Sequence, residues 1–149
     1  MSHTHLSLCF ASLLTLLGIA VVEAALPPKF YQQAREQATH HVQVKVIGVA
    51  PPLKTPGECG VTGDVIRIFR DRPATLKPGT RLAFTVSCAR RGDPPIVGGA
   101  LWTDYDSLIN AKYLEVFLNQ NDGRYEVALW QSRIIEGPTP EPAFGSPAR

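Results

Sequence analysis

The chain changes its hydrophobic period several times, and each change marks an element. Residues 27–39, PPKFYQQAREQAT, place Phe30, Ala34 and Ala38 four apart with Gln, Arg and Glu between them. That spacing predicts a short amphipathic surface helix, entered through Pro27 and Pro28. The period then falls to two. In HVQVKVIGV, 41–49, Val42, Val44 and Val46 share one face, and Gln43 and Lys45 the other. This is the alternation of a half-buried strand. Gly48 permits a bend or bulge, and PPLKTPG reads as a loop. The next run, GVTGDVIRIFR at 60–70, sets Val61, Val65 and Phe69 on a face with Gly63 and Arg67. The glycine marks sharp coiling or a bulge. DRPATLKPG turns the chain. RLAFTVSC at 81–88 then alternates cleanly, with Leu82, Phe84, Val86 and Cys88 on one side.

A long loop, ARRGDPPIVGGALW, follows. Its Gly98 and Gly99 permit a tight turn, and they lack the lysine of a phosphate loop and the spacing of a dinucleotide fingerprint. TDYDSLINAK at 103–112 predicts a brief helix, with Thr103 as N-cap and Asp106 in the capping-box position. YLEVFLN (113–119) and YEVALWQS (125–132) flank QNDGR, whose Asn-Asp-Gly is turn chemistry. Strand parity pairs Leu118 with Tyr125, Val116 with Val127 and Leu114 with Leu129, across a loop of two or four residues. The tail at 137–149, GPTPEPAFGSPAR, cannot pack a core and is expected to be disordered.

The order is helix, three strands, short helix, two strands. The fold class expected is mainly β: a five-stranded antiparallel barrel with an N-terminal helix and a short helix between strands three and four. CGVTGDVIRIFR and RLAFTVSC read as its central hairpin. In pattern and composition, over residues 41–132, the chain resembles small secreted OB-fold domains. It is also similar to the netrin-like domains of secreted inhibitors, which are OB barrels. It lacks the N-terminal cysteine that metalloproteinase-inhibiting members use, so the resemblance does not imply that activity. An immunoglobulin-like sandwich wants about seven strands and fits less well.

Composition adds a location. The 149 residues suit one domain, and 44% hydrophobic with 19% charged content is ordinary for a globular chain. A net charge of +2 gives no push toward nucleic acid. Residues 1–24 read as a secretory signal peptide: an apolar run from Leu6 to Val22, then Val22-Glu23-Ala24 as the cleavage site. The amino terminus, His3 and His5 supply the positive charge of a segment without Lys or Arg. The alternative, an uncleaved anchor, is short for a span and is interrupted by Ser7, Ser12, Thr15 and Gly18. The domain then covers 25–136. Cleavage removes Cys9 and leaves Cys59 and Cys88, an even pair in an exported chain, which points to a disulfide. A hairpin register that opposes Val65 to Leu82 sets Cys59 opposite Cys88, within reach of a bridge. The loop it closes is worth roughly 3.5 kcal/mol.

Candidate chemistry is sparse. His40 and His41 are adjacent, point to opposite faces and read as a solvated strand entrance. Trp102, Asp104 and Asp106, with Tyr105, form the densest polar–aromatic cluster. Paired carboxylates do acid and base work when burial splits their pKa values, or bind Ca²⁺ given more oxygen ligands. Helix capping is the plainer reading. In the last hairpin Tyr113 faces Trp130 and Phe117 lies diagonal to Ala128, an outward aromatic strip. Left bare it is a partner or ligand surface; the alternative is that Phe30 and Tyr31 of the helix cover it. Arg67, Arg70, Arg72, Lys77 and Arg81 gather round the central hairpin, where OB folds bind nucleic acid or saccharide. Stacking aromatics are few there, and a solvated basic rim is the alternative.

The function expected from sequence is a periplasmic or secreted, non-enzymatic binding module, with no cofactor, no metal and no stable membrane anchor once the signal is cleaved. Its expected partner is an envelope or extracellular protein, or an anionic surface component meeting Arg67, Arg70 and Arg81. Nucleic acid is disfavoured. The rival classes are a small hydrolase using Asp104 and Asp106, and an OB-type oligonucleotide or saccharide binder.

Overall fold

A computed structural model describes residues 26–94 and 100–144; the expected signal peptide at 1–24, the Gly98–Gly99 turn and tail residues 145–149 lie outside the described residues. Helix α1 covers Pro28–Gln37, with Pro27 as N-cap. Proline suits the first helical position, where no N–H is needed and φ is already helical. At the other end two arginines from the sheet hold the last carbonyls. Arg70 Nη1 donates to the carbonyls of Arg35, Glu36 and Ala38, and Arg72 to those of Glu36 and Gln37. Both cations also oppose the negative end of the helix dipole.

Strands β1 (His40–Ala50), β2 (Gly57–Asp71) and β3 (Arg81–Ala89) follow, then the short β4 (Thr103–Asp104), the single-turn α2 (Tyr105–Ile109), β5 (Tyr113–Asn121) and β6 (Arg124–Ile135). The sheet order is β2-β1-β5-β6-β3-β4, and β2 also pairs with β3, so five strands close into a ring. The result is a small closed β-barrel with one extra strand, consistent with an OB-like fold. The sheet is mixed, which corrects the all-antiparallel expectation. β3 runs parallel to β6, pairing Phe84 with Tyr125 and Thr85 with Glu126, and parallel to β4. The reason is arithmetic: directions cannot alternate all the way round a ring of odd strand number.

The barrel interior takes the predicted alternate residues, among them Val42, Val44, Val61, Val65, Phe84 and Val116. Each fully buried side chain of this kind contributes ~1.5–3 kcal/mol. β1 leaves no room for a side chain at Gly63 of β2, where a Cβ would lie 3.0 Å from the Lys45 carbonyl and 3.1 Å from Val44 Cβ. A side chain there would push β1 away. The β1–β2 register shifts between Val46 and Gly48, beside that contact.

Cys59 and Cys88 form a disulfide with Cα atoms 5.8 Å apart. The register differs from the expected one: Cys59 pairs with Val86, and Cys88 with Gly57, so the bridge crosses the hairpin diagonally. Both registers keep the same side-chain parity, so alternation alone does not choose between them. The last hairpin slips in the same way, with Leu118 opposite Val127 rather than Tyr125. Its loop is Asp122–Gly123, with φ 48° and 78°, the left-handed pair of a type I′ turn. Farther along, Val116 pairs with Ser132 and Tyr113 with Ile135, so β6 carries extra residues; Leu129 and Trp130 absorb them at φ 41° and 59°.

Residues 137–144 depart from the disordered tail expected from composition. Gln43 and Thr139 exchange two hydrogen bonds of 2.7 and 3.0 Å. The backbone N–H groups of Ala143 and Phe144 donate to Glu115. Composition measures only what a segment lacks for a core of its own. This segment instead supplies donors to a carboxylate buried by the sheet.

In the unreduced protein, alkylation followed by peptide mass mapping should leave Cys59 and Cys88 unmodified. The Cys59→Ala/Cys88→Ala variant should lose about 2–4 kcal/mol of stability in urea titration. Two alkylated thiols without reductant would overturn the assignment.

Candidate functional site

A groove of about 700 Å³ opens where β1, β2, β3 and the start of β6 meet. Its shape follows from side-chain size. Outward positions, opposite in parity to buried Val61 and Phe84, form two rows of small residues across three strands. One row is Gly48–Thr62–Ala83 and the other Ala50–Gly60–Thr85. Glycine and alanine leave the backbone reachable, and the two threonines add hydroxyl donors and acceptors. Gly123 and Arg124 of the β5–β6 turn also line it, as do Val49, Val61 and Phe84 between the outward positions. Tyr125 also lines it, but its ring is engaged T-shaped against buried His40, centroids 5.4 Å apart. The next row is Lys45–Asp64–Arg81, where the Arg81 guanidinium holds both Asp64 oxygens at 2.8 and 3.1 Å.

At Thr85 the groove meets a second cavity of about 360 Å³, lined by Glu58, Ser87, Glu126, Leu129 and Trp130 among others. This cavity exists because β3 and β6 part. They pair only at Phe84–Tyr125 and Thr85–Glu126, after which β3 turns to β4 and β6 back to β5. The left-handed backbone at Leu129 and Trp130 lies at the parting.

The structure redistributes the expected aromatic strip. Tyr113 lies opposite Ile135, and Trp130 sits in the β6 bulge at the second cavity. Phe117 is buried, packed with Ala34, Ala38, Ala128 and Phe144. The helix therefore covers Phe117 through its alanines, while Phe30 remains exposed, and the tail supplies the ring. The basic rim is also divided. Arg70 and Arg72 cap α1, Arg81 is paired, and Arg67 remains exposed.

His40 and His41 are buried, which corrects the solvated entrance. From His40 to Val44 β1 is buried on both faces, its outward His41 and Gln43 being covered by Phe69, Phe117 and the tail. On that face Glu115 is wholly buried and accepts four hydrogen bonds. His41 Nε2 (2.8 Å) and Phe144 N (3.2 Å) reach Oε1; Gln43 Nε2 (2.8 Å) and Ala143 N (2.8 Å) reach Oε2. Burial pushes the carboxyl pKa up, but these donors together outweigh it and hold the group below its usual 4.5. His41 stacks on Phe117 at 3.8 Å. Its burial, helped by Arg70, outweighs the pull of Glu115 and lowers its pKa below 6.5. A neutral His41 thus donates to an ionised Glu115.

Of the acidic cluster, Asp104 is the N-cap of α2, one position later than expected. Its Oδ2 accepts from Ser107 N at 2.9 Å and Ser107 Oγ at 2.7 Å. The Ser107 hydroxyl and then its N–H lower the Asp104 pKa, the direction opposite to that of a general acid. Asp106 stands in the first turn, and Trp102 lies before β4. Elsewhere Thr39, His40 and Asp71 stand in the order of a nucleophile–base–acid chain, at 2.8 and 3.4 Å, the longer approach, His40 Nε2 to Asp71 Oδ1, not being a hydrogen bond. The Thr39 hydroxyl, however, donates to the Leu118 carbonyl at 3.1 Å, and His40 is fully buried. The chain ties β1 to β2 and β5.

Sequence reasoning did not single out Thr62, Ala83, Thr85, Glu58, Glu126 or Glu115. A signal for the groove was present: outward positions are small at 60, 62, 83 and 85 but charged at 64 and 81. No such signal marks Glu115.

Both depressed pKa values mean that the unfolded chain binds more protons in acid, so stability falls as pH falls. The His41 share is lost from about its ordinary 6.5 downward, and the Glu115 share below its ordinary 4.5. His41→Gln keeps an N–H donor and removes the titration. Its thermal midpoint should vary less than wild type between pH 7 and pH 5, while both proteins fall steeply in stronger acid. Parallel profiles across the upper window would refute the neutral-histidine assignment.

No protein-family model and no curated protein matches the chain, and the site is therefore read from its geometry.

Proposed function

We propose that the protein is an exported, non-enzymatic binding module that holds an extended polypeptide segment of an envelope or extracellular partner in the groove over β2 and β3. The observation that carries this reading is the double row of small residues, Gly48–Thr62–Ala83 and Ala50–Gly60–Thr85. Such a floor admits a main chain closely and offers the Thr62 and Thr85 hydroxyls to its amides, while alternate side chains of the ligand point away. The Cys59–Cys88 disulfide is compatible with an oxidising, exported location.

An oligonucleotide or saccharide binder of this fold would want aromatic platforms in the same place. Of the two aromatics in its lining, Phe84 is buried in the barrel and the Tyr125 ring is turned to His40. A hydrolase would want acid–base groups converging in a cleft, whereas Asp104 is engaged with Ser107. The polypeptide reading needs neither.

Ala83 is exposed, so Ala83→Trp should fill the groove while changing stability by no more than about 0.5 kcal/mol. Binding of wild type and variant to displayed random peptides, single-stranded DNA and an oligosaccharide array separates the classes. Peptide binding that the variant loses is expected. Peptide binding untouched by Ala83→Trp, or DNA or saccharide binding abolished by it, would sink the proposal.

A further inference from the structure

The second cavity gives the groove a chemical preference, and this inference rests on the polypeptide reading above. Two carboxylates line it, Glu58 from β2 and Glu126 from β6, on opposite sides of the parting between β3 and β6. Each has one short neutral contact. Glu58 Oε1 accepts from Ser87 Oγ at 2.7 Å, and Glu126 Oε2 from Asn121 Nδ2 at 3.1 Å. Neither lies against a basic or histidine side chain among the described residues, where the carboxylates that do are Asp71, Glu115 and Asp64. The indole of Trp130 belongs to the same lining. Thr85 is shared with the groove, so a chain lying over Ala83 and Thr85 has its next residues at this cavity.

We infer that the cavity at Glu58, Glu126 and Trp130 is a specificity pocket for a basic side chain, arginine or lysine, of the bound polypeptide. Three features converge on a cation. The carboxylates supply charge, and their unshared oxygens can accept from a guanidinium or ammonium. An indole face attracts a cation and covers the methylene stem that carries it. The space of about 360 Å³ exceeds what one ordered water needs and suits a long side chain. The charge distribution runs against the anionic partner expected from the arginines. Of those arginines Arg70 and Arg81 are engaged, with α1 and Asp64, and Arg67 is exposed, whereas Glu58 and Glu126 have no cationic partner among the described residues.

The test uses the mature, disulfide-bonded protein and three short alanine peptides that differ only at a central residue: arginine, norleucine or glutamate. Binding is read by fluorescence and by the indole N–H resonance of Trp130, assigned with Trp130→Phe. The arginine peptide should bind roughly tenfold tighter than the norleucine peptide and shift that resonance. The glutamate peptide should bind weakest. Glu58→Gln/Glu126→Gln, at two exposed positions, should erase the ranking, bringing the arginine peptide down to the affinity of the norleucine peptide. Equal binding of all three, still blocked by Ala83→Trp, would overturn the basic pocket and leave the groove standing. An arginine preference that survives the double variant would also overturn it. Absence of binding by every peptide would remove both proposals together.

Discussion

Strand direction cannot alternate round a closed ring of five, and much of this protein's character follows from where that conflict is placed. It falls between β3 and β6, which meet in parallel over two residue pairs, Phe84–Tyr125 and Thr85–Glu126. A parallel junction of this length holds the barrel shut but cannot guide the strands beyond it. β3 goes on to pair with β4 at Cys88 and Ala89, and β6 returns to β5 at Ser132. The left-handed residues Leu129 and Trp130 provide the change of direction. They are costly conformations for side chains of their size, sustained by pairing on both sides. The groove and the second cavity both border this junction.

Opposite the junction the barrel is sealed differently. β1 from His40 to Val44 and β5 from Leu114 to Leu118 are buried on both faces, and the outer face carries His41, Gln43 and Glu115 in place of hydrocarbon. Removing a carboxylate from water costs several kcal/mol unless its lone pairs are satisfied. Glu115 meets that condition with two donors on each oxygen, drawn from β1 and from the tail. The arrangement makes the tail a structural element rather than an appendage. Phe144 closes over Phe117, and Arg133 holds the Ala143 carbonyl at 2.8 Å.

The sequence carried the elements well and the long-range choices poorly, for identifiable reasons. Period-two runs placed β1, β2, β3, β5 and β6 within a few residues, and Asn121-Asp122-Gly123 gave the turn. The disulfide is legible once Cys9 is set aside with the expected signal peptide. Registers slipped by two in both hairpins because a two-residue shift preserves every inward and outward position. The β6 bulge was invisible, since Leu129 and Trp130 are among the residues least suited to positive φ. The aromatic strip failed with it, because Tyr113 and Trp130 faced each other only in an unbulged hairpin. His40 and His41 were placed in solvent because the pattern of β1 alone cannot report that a helix and a tail cover its second face.

The groove was hard to find because it is made of what is missing. Chemistry-bearing residues attract attention in a sequence; Gly48, Ala50, Gly60 and Ala83 do not, and their effect appears only when registers bring them into rows. Charge had the same difficulty. A count of basic residues near the central hairpin suggested an anionic partner, but a count does not record which charges are already answered. Arg70 and Arg72 neutralise a helix end and Arg81 a neighbouring aspartate, while Glu58 and Glu126 face a cavity with only neutral donors. The local sign of the groove is therefore set by the residual charge, which is negative at its Trp130 end, in a chain whose net charge is +2. Complementarity acts over about a Debye length, close to 8 Å in physiological salt, so the pocket and not the whole molecule decides which side chain it attracts.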